Sequence, residues 1–139
     1  MAFTSDQLTK IFSRTSGHCH ICHKKLAFKN YGIFSARAPW EVEHSHPQVH
    51  GGTHHLNNLY PACISCNRSK RDASTVSVRV KNGKTRAPLS VEKRKSAKSQ
   101  NAFAGGALGA VLGLVGGPVG VIICAALGAK MGYSQNPDK

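Results

Sequence analysis

The sequence predicts a small α+β domain clamped by its own cysteines, followed by a basic linker and an apolar, glycine-rich helix or helical hairpin. Three observations predict it. Four of the five cysteines stand in two Cys-x-x-Cys pairs, Cys19/Cys22 and Cys63/Cys66, with 40 residues between them. Helix-like and strand-like patterns alternate over residues 1–75, which also hold all eight histidines. Residues 102–129 then carry no charged side chain over 28 positions.

The elements follow in order. In "SDQLTKIF", Ser5 or Asp6 can cap a helix whose Leu8, Ile11 and Phe12 share one face. "GHCHICHKKL" reads as a metal-binding knuckle. "WEVEH" is a strand, with Trp40 and Val42 on one face and Glu41 and Glu43 on the other. "HGGTHHLNNL" is a loop loosened by its glycine pair, and "CNRSKRDAS" starts a helix at the second knuckle. Residues 76–101 form the basic linker. Val76, Val78 and Val80 alternate before the Asn-Gly of "KNGK", which signals a short hairpin. The rest of the linker lacks a periodic apolar face and is expected to be irregular. Domain limits are thus 1–75, a linker at 76–101, an apolar segment at 102–133 and a tail at 134–139.

The chain has 139 residues and a formal net charge of +13 with neutral histidines. A domain of this size buries a small core, so a metal staple adds needed stability. So large a positive charge points to polyanion partners, either nucleic acid or an acidic membrane surface. Between Arg79 and Lys98 eight Lys or Arg face one Glu, a run suited to phosphates and equally consistent with a solvated linker. The N-terminus shows no signal-peptide pattern, and paired Cys-x-x-Cys spacing suits a reducing compartment such as the cytoplasm. Delivery into another cell would need another route.

Two Cys-x-x-Cys pairs have the spacing of one tetrahedral zinc site. Four thiolates leave no open coordination position, so zinc at Cys19, Cys22, Cys63 and Cys66 is structural. His18, His20 and His23 crowd the first pair as exposed neighbours. The framed segment supplies a second kind of chemistry. Glu43 is a hard oxygen ligand, His44 a base beside it, and Asn58 and Asn67 offer amide oxygens. Oxygen donors of these types suit Mg²⁺ or Mn²⁺.

"WEVEHSHPQVHGGTHHLNNLYPACISCNRSK", framed by "CHIC" and "CISC", resembles the HNH endonucleases of the zinc-bound ββα-metal type. The resemblance runs from about Ser5 to Asp72, through acid-His, Pro47, Gly51-Gly52, Asn58-Leu59, Cys66-Asn67 and Lys70 in order. It implies a metal-dependent DNA endonuclease with His44 as general base and Glu43 and Asn67 as ligands of a catalytic Mg²⁺, Mn²⁺ or other divalent ion. Asn58 would hold the loop and orient His44, while Arg68, Lys70 and Arg71 would meet DNA phosphates. Cleavage would leave a 3′-hydroxyl and a 5′-phosphate. His46 and His55 are second-rank site candidates; His50 and His54 decorate the loop. The acid before the base is Glu43, one methylene longer than the Asp more common in the family.

No separate sequence-reading module is evident, so low sequence specificity is expected. In the apolar segment, Gly105, Gly109, Gly113 and Gly117 form one small-residue stripe, and Gly116, Gly120, Cys124, Gly128 and Gly132 a second. The segment is long enough to span a bilayer, while Pro118 invites a kink or a hairpin. A membrane partner through residues 102–129 is expected, with a buried hairpin packed on a soluble partner or on itself as the alternative. A nuclease carrying such a tail suggests a delivered toxin with an immunity or delivery partner, or a phage or defence nuclease. The competing classes are an inactive zinc-stabilised DNA-binding protein tethered to a membrane, and a pore-former.

Overall fold

The computed structural model describes residues 2–112 and 117–138, which divide into two compact units, Met1–Val91 and Glu92–Lys139. In the first, helix α1 (Ser5–Ser13) is capped by Thr4, not by Ser5 or Asp6 as expected. Thr4 and Gln7 close a reciprocal box, Thr4 Oγ1 accepting from the Gln7 N–H (3.3 Å) and Gln7 Oε1 from the Thr4 N–H (2.9 Å). The predicted face is the buried one: Ile11 is in the core with Leu8 and Phe12 against it.

Strands β1 (Trp40–His44) and β2 (Leu59–Cys63) pair antiparallel, with Trp40 opposite Cys63 and His44 opposite Leu59. Trp40 is fully buried against Phe12 and Tyr31, and its indole N–H donates to the Phe28 carbonyl (3.1 Å). Ile21, Leu26, Leu59 and Ala62 complete the core beneath the sheet. Helix α2 (Ile64–Lys70) follows β2 directly. The hairpin therefore delivers His44 at the end of β1, and the helix carrying Asn67, into one small frame.

Beyond α2 the structure corrects the expected hairpin. Thr75–Lys81 form helix α3, capped by Ser74 Oγ. Thr75, Val78 and Arg79 turn inward, the i, i+3, i+4 pattern of a helix, while Val76 and Val80 stay exposed. The Asn-Gly signal marks the helix end instead. Gly83 (φ +69°) donates to the Val80 carbonyl and Lys84 to the Arg79 carbonyl, the two bonds of a Schellman stop. The expected linker then packs back on the knuckle: His23 Nε2 bonds the Arg86 carbonyl (3.0 Å) and Ser16 Oγ donates to the Leu89 carbonyl (3.0 Å). The first unit thus extends past residue 75 to Val91.

The second unit is an antiparallel pair, α4 (Val91–Leu112) and α5 (Gly117–Ser134). The stretch expected to be irregular is helical from Val91, since Glu92, Lys93, Arg94, Lys95, Ala97 and Lys98 are strong helix formers. The helices meet through their small residues. A Cβ on Gly105 would strike the Gly128 carbonyl, one on Gly109 the Cys124 carbonyl, and one on Gly132 the Asn101 carbonyl. Gly113 and Gly116 lie outside the described residues. Pro118 sits in the first turn of α5, where its missing N–H is tolerated. Among the described residues no helix is long and apolar enough to cross a membrane.

Candidate metal centre and catalytic cavity

The sulfurs of Cys19, Cys22, Cys63 and Cys66 all lie within 4.8 Å of one another. The Cys22–Cys63 sulfur separation is 3.8 Å. A tetrahedral zinc with sulfur at about 2.3 Å requires sulfurs about 3.8 Å apart, so the cluster fits zinc. Cys19 Sγ accepts from the backbone N–H groups of Ile21, Cys22 and Cys63 (3.3–3.5 Å), contacts that favour a thiolate. Hydrogen bonding from Cys19 lowers the Cys22 thiol to about 7, while the same crowding pushes Cys66 upward. Four thiols this close cannot all ionise by themselves; a divalent cation lets them.

The histidine inside the first knuckle has its own role. His20 is buried, stacks on Tyr60 (3.8 Å between centroids) and accepts from Arg79 Nη2 at Nε2 (2.7 Å). With Nε2 accepting, Nδ1 carries the proton, and it faces Glu43 Oε2 at 3.6 Å. Glu43 itself is 0 % exposed. Its Oε1 accepts from the Thr75 hydroxyl and lies 3.8 Å from Lys70 Nζ. Burial is the main cause holding His20 below its ordinary value, so the ring is neutral and the Glu43 charge is met by Lys70 and Arg79. Glu43, expected to hold a catalytic metal, is thus the hub joining the knuckle, β1, α2 and α3. Lys70, expected on phosphate, is 4 % exposed and donates to the His44 carbonyl (2.8 Å). Replacing Glu43 with Ala leaves Lys70 buried and uncompensated, and we expect a loss of about 3–5 kcal/mol, measured by urea unfolding of zinc-loaded protein without added Mg²⁺.

His44 lines a cavity of about 220 Å³ together with Asn67, Arg71 and Asp72. Asn67 Nδ2 donates to Glu41 Oε2 (3.1 Å), which leaves the amide oxygen as an acceptor. Arg68 pairs with Glu41 Oε1 (2.9 Å) on the surface. Arg71 is held at φ +48°, a conformation costing about 1–3 kcal/mol for a side-chain-bearing residue and common at functional sites. The cavity offers imidazole nitrogen, amide oxygen and, from Asp72, carboxylate. This donor set suits a hard or borderline divalent cation.

Asn58, expected to orient His44, bonds the loop backbone and not the His44 ring. Its Oδ1 accepts from the His46 N–H (2.7 Å) and its Nδ2 donates to the His46 (3.0 Å) and Thr53 (2.9 Å) carbonyls. Gly52 passes so close to the His46 carbonyl that any Cβ would collide with it. His46 is tied to the His50 carbonyl (2.7 Å), and His55 accepts the Asn57 N–H (3.2 Å). The loop histidine that reaches the site is His54. Its Nδ1 lies 3.2 Å from His44 Nε2, and its Nε2 is 2.5 Å from the Gln48 amide nitrogen. Sequence reasoning passed over His54, Gln48 and Asp72, because nothing in the spacing separates them from their neighbours. Burial first, then His54, holds His44 below its ordinary value, so it is a neutral imidazole at physiological pH.

A two-strand sheet, the helix after it and a four-cysteine cluster that fits zinc define a small α+β domain with a histidine lining a polar cavity. The HNH endonuclease family model matches residues 19–73, which hold all of these elements. The fold and the cluster fit an HNH-type domain. Comparisons with curated proteins and with solved structures return no match.

Proposed function

We propose that the chain is a metal-dependent DNA endonuclease of low sequence specificity, with His44 as general base. The observation that carries this reading is a neutral His44 lining one cavity with Asn67, Arg71 and Asp72. Asn67 and Asp72 would hold the divalent ion, which when bound polarises the phosphate and stabilises the departing oxygen. Donating Nε2–H to His54, His44 keeps Nδ1 free to take the proton of the attacking water. With the Gln48 amide turned to offer its oxygen, His54 in turn donates Nε2–H to it. Arg71 meets the phosphate, and the +13 net charge supplies affinity without sequence reading.

Supercoiled plasmid incubated with the protein and Mg²⁺ or Mn²⁺ tests the proposal. Nicking that EDTA blocks supports it. Binding without nicking in any divalent metal would instead establish the inactive DNA-binding reading, which the burial of Glu43 favours. The pH dependence has a definite sign. Because His44 is lowered from 6.5, its neutral form persists below that value. The acid limb of the kcat–pH profile should be centred below 6.5, as the imidazole protonates. An acid limb centred above 6.5 would reject His44 as the base.

For the second unit we infer membrane contact, supported by the outward apolar side chains of α4 and α5. A nuclease so equipped suits a delivered toxin, with an immunity or delivery protein as partner, or a phage or defence nuclease.

A further inference from the structure

The hairpin of α4 and α5 is turned inside out relative to a soluble helix pair. Its glycines face each other, and its large apolar side chains face outward: Phe103 is 82 % exposed and Leu112 70 %, and Leu108, Ile122 and Leu127 are exposed too. Water contact over such a surface is unfavourable in proportion to its area. The charges are distributed as sharply. After Lys98 the next charged residue is Lys130. The antiparallel register sets Asn101 beside Gly132, so Lys93, Lys95, Lys98 and Lys130 all lie toward the open end and none toward the 112–117 end. Arg94 pairs with Asp138 there, and Lys98 lies over the Tyr133 ring at 5.2 Å.

We propose that this hairpin inserts into an anionic bilayer from one face without spanning it, entering and leaving on the same side. The inference rests on the membrane reading of the second unit and specifies its depth, topology and lipid charge. The apolar reaches, 102–112 and 117–129, are about 17 and 20 Å long at the helical rise, against a hydrocarbon core of about 30 Å. Each reach therefore extends past the midplane and stops short of the far headgroups. Tyr133 with Lys98 sits at the headgroup boundary, where amphipathic rings and cations are favoured. Each lysine at that level strengthens binding to an acidic surface about fivefold. Backbone groups stay paired inside the two helices, as hydrocarbon demands.

Flotation of the zinc-loaded full chain with vesicles of phosphatidylcholine, with or without phosphatidylglycerol, tests this. Flotation should require the anionic lipid and weaken with salt. Leu108→Ser with Leu127→Ser should reduce it at least tenfold while helicity is unchanged. In a Cys124→Ala background, a fluorophore on Leu112→Cys should be quenched best by labels deep in the acyl chains, and one on Lys95→Cys by labels near the headgroups. Trypsin added outside intact vesicles should cut at Lys130 as well as before Asn101. Absence of flotation with either lipid, with concentration-dependent dimerisation instead, defeats the membrane reading and assigns the surface to a second copy. Flotation with Lys130 protected, shallow quenching at position 112, or full retention by the double serine variant leaves membrane binding standing and overturns the hairpin inserted from one face.

Discussion

His44→Ala is expected to lower the rate of plasmid nicking by about 10²–10⁴-fold, the range for losing a positioned general base. The loss should fall on kcat, since DNA binding rests on phosphate contacts made elsewhere. The fold should not suffer. The His44 ring contacts His54 on the loop side, while the strand is held through the His44 carbonyl by Lys70. Thermal unfolding and zinc content of His44→Ala should therefore match the parent. His54→Ala separates positioning from chemistry: it should leave a base with an unfixed ring, so a smaller loss is expected and the acid limb should move toward higher pH. If His44→Ala nicks at the parental rate, with contaminating nuclease excluded, the base assignment fails.

Removal of zinc has the largest expected effect on stability. Structural zinc sites contribute about 10–16 kcal/mol of apparent binding energy, against a total stability of about 5–15 kcal/mol for a domain. The first unit has a small core around Trp40, so a metal that ties its two knuckles carries a large share of its stability. Stripping the metal with a strong chelator, or substituting Cys63→Ser, should unfold this unit. Trp40, the sole tryptophan and fully buried, reports it directly through a red shift of emission. The same probe separates two effects of EDTA on activity. Loss of nicking with Trp40 emission unchanged marks removal of the catalytic ion, and loss with a red shift marks collapse of the zinc frame. A parental emission spectrum in fully demetallated protein would show that the cluster is dispensable.

Several features were legible because their causes are local in the chain. The paired cysteines, the strand over Trp40–His44 and the helix starting at the second knuckle all follow from short-range spacing. Other signals were legible but ambiguous. Three valines two apart fit a strand, and only the inward pull on Thr75, Val78 and Arg79 makes α3 a helix. Asn-Gly closes a hairpin or ends a helix with equal ease, since both need a residue with positive φ.

The sequence by itself determined the composition of the site: four thiols spaced for one metal, a histidine at a strand end and an amide that holds the loop. Alternation along β1 separated Glu41 and Glu43 from Trp40 and Val42, yet it could not say what would cover Glu43. Thr75, 32 positions away, and His20 from the knuckle decide that, and they turn its carboxylate inward beside Lys70. Among four loop histidines, the tertiary structure alone brings His54 to His44, because Asn58 and the tight passage at Gly52 fold the loop back over the strand. Residue types reveal which chemistry a chain can perform. Which copies of a type perform it depends on contacts between distant segments, where burial and charge pairing choose the direction of each side chain.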